Sequence, residues 1–162
     1  MTFNRAVEIT MSLTPSLYWE DFVVGDETRF GNYTVSEQEI IEFGTKYDPL
    51  PHHTCIKLAS QTPLGTLIAS GLQVIGVAHR ILVDNLFIRA GIVAGTGFKN
   101  MNIHSPVMPG DTLDVKMSVE EKSNHPRRED QGWIDFKINV FSQNKKKVMD
   151  YEISMLFLKR DF

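Results

Sequence analysis

Four stretches in the second half of the chain are dense in β-forming residues: 93–105, 112–119, 133–143 and 148–159. The last has the clearest period. Met149, Tyr151, Ile153, Met155 and Phe157 alternate with Asp150, Glu152 and Ser154. Successive side chains of a strand point to opposite faces, so this predicts a strand with one buried face. Turn signals separate the stretches. Pro109-Gly110 suits the centre of a type II turn, because Pro fixes φ and Gly admits φ > 0. The polar run 124–131 reads as a hairpin loop, and 144–147 reads as a turn.

The first half reads differently. Residues 26–33 alternate well enough for a strand. Ser36 and Glu39 then form a capping-box signature, and Ile40, Ile41 and Phe43 supply the apolar face of a helix running to about Lys46. Pro49 and Pro51 remove two backbone donors and restrict the residues before them, so the helix stops near Asp48. Residues 48–53 are expected to be a constrained loop. A long helix is predicted from Ser70-Gly71 to about Phe87. Leu72, Ile75, His79, Leu82 and Leu86 recur at helical spacing and mark its apolar stripe. One strand, a capped helix, one long helix and four antiparallel strands make an α+β fold. The stripe of the long helix must be buried, and a curved antiparallel sheet wrapped round it is the expected partner.

The chain has 162 residues, 42% hydrophobic and 23% charged. Such a chain forms one domain and buries roughly 70% of its unfolded surface, enough to need no disulfide or metal staple. The first 16 residues lack a clear period, so 1–16 is expected to be a loose N-terminal arm and 17–162 the single domain. The formal net charge of −3 argues against a nucleic-acid partner. Cys55 is the only cysteine, which excludes an intrachain disulfide and favours a reducing compartment. No apolar run approaches the roughly 20 residues needed to span a bilayer, and no signal-peptide pattern opens the chain. A cytoplasmic protein without membrane contact is the expectation. No His, Cys, Asp or Glu cluster has metal-ligand spacing, so no metal and no cofactor are expected.

The chemistry most visible in the sequence is Asp48 and His53, five residues apart and separated by two prolines. Such a pair suits general acid–base work on a water molecule. Two readings stay open on spacing alone. The two side chains converge on one small volume, or Asp48 terminates the helix and the histidines are surface residues.

The runs YTVSEQEIIEFGTKYDPLPHH, GTLIASG and HSPVMPGDTL, in that order, resemble the MaoC-like hydratase/dehydratase family, which includes the R-specific enoyl-CoA hydratases. The resemblance spans residues 18–158. It implies the hot-dog fold, in which an antiparallel sheet wraps a central helix. The family motif runs Asp, any residue, Asn or Gln, Pro, any residue, His. Asp48, Pro51 and His53 match it, whereas Leu50 stands at the amide position. Cys55 stands where a small acidic residue often follows, a second departure. The resemblance implies that Asp48 and His53 hold a water that adds to a trans-2-enoyl thioester. It implies that the Gly71 N–H, at the start of the central helix, stabilises the thioester oxygen. Pro51, Ser70 and His79 become candidates for substrate contact. An acyl-CoA or other acyl thioester is the implied substrate, and a homodimer or higher homo-oligomer the implied assembly. Two other readings are carried along. One is a non-catalytic hot-dog subunit that binds acyl groups or scaffolds a catalytic partner, suggested by Leu50 and Cys55. The other is a thioesterase of the same fold, for which Asp84 is the available carboxylate on the long helix.

Overall fold

The computed structural model describes residues 14–160. Five strands form one antiparallel sheet: β1 Glu27–Thr34, β2 Ile92–Ile103, β3 Thr112–Asn124, β4 Gln131–Ser142 and β5 Lys147–Leu158. Their order across the sheet is β1-β3-β4-β5-β2. Among these residues four α-helices precede β2: α1 Glu37–Tyr47, α2 Pro51–Thr54, α3 Ile56–Ala59 and α4 Gly71–Asn85. With α4 against the sheet, this is the hot-dog arrangement. The expected loose arm lies mostly outside the described residues.

The alternation seen in the sequence becomes the core. Met149, Tyr151, Ile153, Met155 and Phe157 of β5 are all buried, as are Ile134, Phe136, Ile138 and Val140 of β4. The register pairs Ile138 with Tyr151, Phe136 with Ile153 and Ile134 with Met155, so apolar residues stack across the two strands. Each such burial is worth about 1.5–3 kcal/mol before entropy is counted. The turn at Pro109-Gly110 forms as the residues demand. The Asp111 N–H donates to the Met108 carbonyl at 3.0 Å, and Gly110 sits at φ 88°.

The capping box at α1 also forms. The Ser36 N–H donates to Glu39 Oε2 at 2.9 Å, and the Glu39 N–H donates to Ser36 Oγ at 3.2 Å. Two local expectations are corrected. The segment expected to be a constrained loop contains a helical turn, α2, with Pro51 at its start. Proline fits there because the first helical N–H has no intrahelical acceptor to lose. The apolar stripe on α4 is also rotated. Val74, Val77, Ala78, Ile81 and Leu82 form its buried face, whereas Leu72 is 58% exposed. Ala78 is fully buried and lets the helix approach the sheet more closely than a row of leucines would.

β2 is unlike its neighbours. It is an edge strand, and eleven of its twelve residues are exposed. Val93, Phe98, Met101 and Ile103 are among its exposed apolar side chains.

Candidate functional site

Asp48 closes α1 as its C-cap, its N–H donating to the Gly44 carbonyl at 2.9 Å. Pro49 prevents continuation, and the chain turns at once into α2. This tight reversal brings His53 back against α1. Gly44 makes the approach possible. A methyl group there would lie 2.2 Å from the His53 carbonyl oxygen, so α1 can carry no side chain at that point. His53 is thereby buried, at 5% exposure.

The loop before α4 then engages both residues. The His53 ring donates through Nδ1 to the Ile68 carbonyl at 2.8 Å. A carbonyl can only accept, so Nδ1 carries a proton, and in the neutral ring Nε2 keeps its lone pair. The Ile68 N–H returns a bond to the His52 carbonyl at 2.9 Å. Ser70 donates its hydroxyl to Asp48 Oδ2 at 2.6 Å and accepts the Leu72 N–H at 3.2 Å. His53 Nε2 faces the same Asp48 oxygen at 3.4 Å, long for a direct hydrogen bond. The histidine side chain is 7% exposed and the aspartate side chain 26%, so the pair opens to solvent on the carboxylate side. The His52 ring packs edge-on against His53 with centroids 4.2 Å apart.

Gly71 is the first residue of α4, next to Ser70. Its N–H has no intrahelical acceptor and lies at the positive end of the helix dipole. An added methyl there would come within 2.7 Å of Ile103 Cδ1.

Asp48, His53 and Ser70 are thus brought together, with Gly71 adjoining. Pro51 shapes the turn that carries His53. His79 lies two helical turns further along α4 and faces a separate apolar groove of about 580 Å³. Val83, Phe87, Phe98, Ile153 and Met155 share the lining, and neither Asp48 nor His53 contributes to it. His79 Nδ1 is buried without a hydrogen-bond partner, and burial lowers its pKa. Asp84 is 46% exposed, bonds Arg80 at 2.7 Å on the helix surface and does not line the groove beside His79, which weakens the thioesterase reading. Among the described residues, no group of three His, Cys, Asp or Glu side chains could hold a metal. No helix among them is long and apolar enough to cross a membrane.

Two contributors escaped the sequence reading. Ile68 acts through its backbone, which no residue type announces. Gly44 did leave a signal: glycine inside a helix costs about 1 kcal/mol relative to alanine and points to close packing.

Comparisons with known proteins place the family and the fold. A family model described as MaoC like domain matches residues 21–133. A 3-hydroxybutyryl-CoA dehydratase from Methylorubrum extorquens is 33% identical over 113 residues, 69% of this chain and 69% of that protein. The uncharacterized protein YdeM of Bacillus subtilis is 28% identical over 137 residues, 85% of this chain and 96% of its own. Among solved structures, a MaoC-like dehydratase from Rhodospirillum rubrum shares the fold, with TM-score 0.80 and 24% identity, covering 90% of this chain and 99% of that one. The chain belongs to the MaoC-like hydratase/dehydratase family.

Proposed function

We propose that this protein adds water reversibly to a trans-2-enoyl thioester, in the first place an enoyl-CoA, to give a 3-hydroxyacyl thioester. The observation that carries the reading is the 3.4 Å spacing of the Asp48–His53 pair, with His53 Nδ1 bound to the Ile68 carbonyl and Nε2 turned to the carboxylate. Nε2 presents a lone pair to a carboxylate oxygen 3.4 Å away. In the neutral ring both atoms are acceptors, and they repel unless a donor beside them bonds to both. A water about 2.8 Å from each would bond to both. In hydration the Nε2 lone pair takes one proton of that water as its oxygen bonds to C3 of the substrate. The C2–C3 π electrons move toward C2 and the thioester oxygen, and the dyad returns a proton to C2. The negative charge that grows on the thioester oxygen needs a fixed donor, and the Gly71 N–H at the helix start supplies one. Dehydration is the reverse.

The groove beside His79 is the candidate site for the acyl chain, its walls being aliphatic and aromatic. Gly95, Gly97 and Phe98 of the exposed edge strand β2 form part of it. A second copy of the chain pairing along β2 would cover these exposed apolar residues and close the groove. A homodimer therefore belongs to the reading. Leu50 weighs little against it. The Leu50 side chain is 48% exposed, and the dyad is held instead by Ser70 and the Ile68 carbonyl.

The test is hydration of trans-2-enoyl-CoA esters of four to twelve carbons, followed by loss of the enoyl-thioester absorbance. Turnover is expected for at least one length, lost in Asp48→Asn and His53→Ala. Tight binding of the esters without turnover would instead favour the acyl-binding subunit reading. Sedimentation at micromolar concentration should give the mass of a dimer.

A further inference from the structure

Residues 67–70 touch the dyad at two points and its neighbour His52 at a third, and only one of those contacts uses a side chain that a mutation can remove cleanly. The Ile68 carbonyl fixes the His53 tautomer at 2.8 Å, and the Ile68 N–H bonds the His52 carbonyl at 2.9 Å. The segment itself is anchored, the Ala69 N–H donating to the Val107 carbonyl at 2.8 Å. Ser70 completes it with its hydroxyl bond to Asp48 Oδ2 at 2.6 Å.

That hydroxyl has one proton. It is directed at the carboxylate, while a lone pair accepts the Leu72 N–H as the N-cap of α4. Ser70 is 1% exposed, so solvent cannot easily replace either partner. A helix cap needs only an acceptor, which serine, threonine, asparagine and aspartate all provide. A hydroxyl bridging a cap and a carboxylate does more. It ties the orientation of Asp48 to the N-terminus of the helix that carries Gly71.

We propose that Ser70 is a positioning residue: through its hydroxyl it aims the Asp48 carboxylate at His53 and locks that carboxylate to the helix start bearing the Gly71 N–H. This assigns Ser70 a role distinct from substrate contact, and it rests on the hydratase reading above. The oxygen that Ser70 binds is the one facing His53 Nε2 at 3.4 Å. With the bond present, water, carboxylate and oxyanion donor share one rigid frame. Without it, the carboxylate can rotate about its side-chain torsions and the reacting geometry is lost, although every reacting group remains.

The capping role and the positioning role separate by mutation. Ser70→Ala removes both the cap and the donor. Ser70→Gly removes the donor but keeps a residue well tolerated at an N-cap, with little loss of stability. Ser70→Thr keeps both. Steady-state hydration of an enoyl-CoA and thermal unfolding are measured on all three and on wild type. The expected result is a fall in kcat of roughly 10- to 100-fold in both Ser70→Ala and Ser70→Gly. KM should stay within about twofold, only Ser70→Ala should lose clear stability, and Ser70→Thr should recover most of the rate. Wild-type kcat in Ser70→Gly, or losses of rate that follow losses of stability across the set, would overturn the proposal. A rise in KM at constant kcat would overturn it too, returning Ser70 to substrate contact. Absence of turnover in wild type would sink the hydratase reading. In that case the ¹⁵N resonances of the His53 ring still report on the dyad. They should shift in Ser70→Gly relative to wild type, and unchanged resonances would overturn the positioning role by themselves.

Discussion

Two histidine–aspartate pairs stand among the described residues, and they are built in opposite ways. His104 Nε2 meets Asp150 Oδ2 at 2.7 Å in an open setting, the histidine side chain being 41% exposed. Asp150 also accepts from Asn102 at 3.0 Å and from Lys147 at 3.2 Å. These donors, led by Asn102, hold its pKa down to about 2. A carboxylate so fully bonded has little basicity left. The Asp48–His53 pair is longer, at 3.4 Å, and its histidine is 7% exposed. Its carboxylate receives a neutral hydroxyl and no cation. The first pair spends its hydrogen-bonding capacity on holding β2 to β5. The second is oriented by its neighbours and still has capacity for a third party. Residue types alone would not separate them, whereas distance and saturation do.

The sharpest way to break this contrast is to remove one member of each pair. His53→Gln and Asp48→Asn should lower kcat/KM for enoyl-CoA hydration by about 10³-fold, within the span seen for general acid–base groups. His104→Gln and Asp150→Asn should leave the rate within about twofold. A comparable loss in the second set would dissolve the distinction. Gly44→Ala comes next, because it places a methyl against the His53 carbonyl. It should destabilise the fold by about 1–3 kcal/mol in chemical denaturation and slow turnover as well, since overpacking there displaces the dyad.

Smaller effects distinguish the pairs by pH. The Asp150 pKa is depressed, so its contribution to stability is complete above the ordinary carboxylate range. It is lost as pH falls from about 4 through about 2. In Asp150→Asn, unfolding at neutral pH should come about 1 kcal/mol easier after solvent screening, with the difference from wild type vanishing near pH 2. His79 is a third histidine with no carboxylate partner. Burial lowers its pKa from the ordinary 6.5. The unfolded chain therefore binds a proton first, and stability falls as pH drops below about 6.5. His79→Leu should flatten that slope below about pH 6.5, read as thermal midpoints.

Much of the architecture was legible because it rests on short-range rules. The period of two in β5, the capping box at Ser36 and Glu39 and the Pro109-Gly110 turn each involve residues within a few positions of one another. Each appears in the structure as read. The face of α4 was misread because several faces of that helix are apolar. The choice among them falls to the sheet, which selects Val74, Ala78 and Ile81 and leaves Leu72 exposed. The helical turn at Pro51 was missed because prolines signal a break and a helix start alike.

For the candidate site, the sequence by itself determined the candidate residue types and the reversal that carries them, Asp48 at a helix end and His53 beyond two prolines. Only the tertiary structure decided what they can do. The Ile68 carbonyl that sets the His53 tautomer is 15 residues away, and the Ser70 hydroxyl on Asp48 is 22 residues away. The reason is physical: local sequence restricts backbone angles over a turn or two. The protonation and aim of a buried side chain depend on which groups packing brings against it.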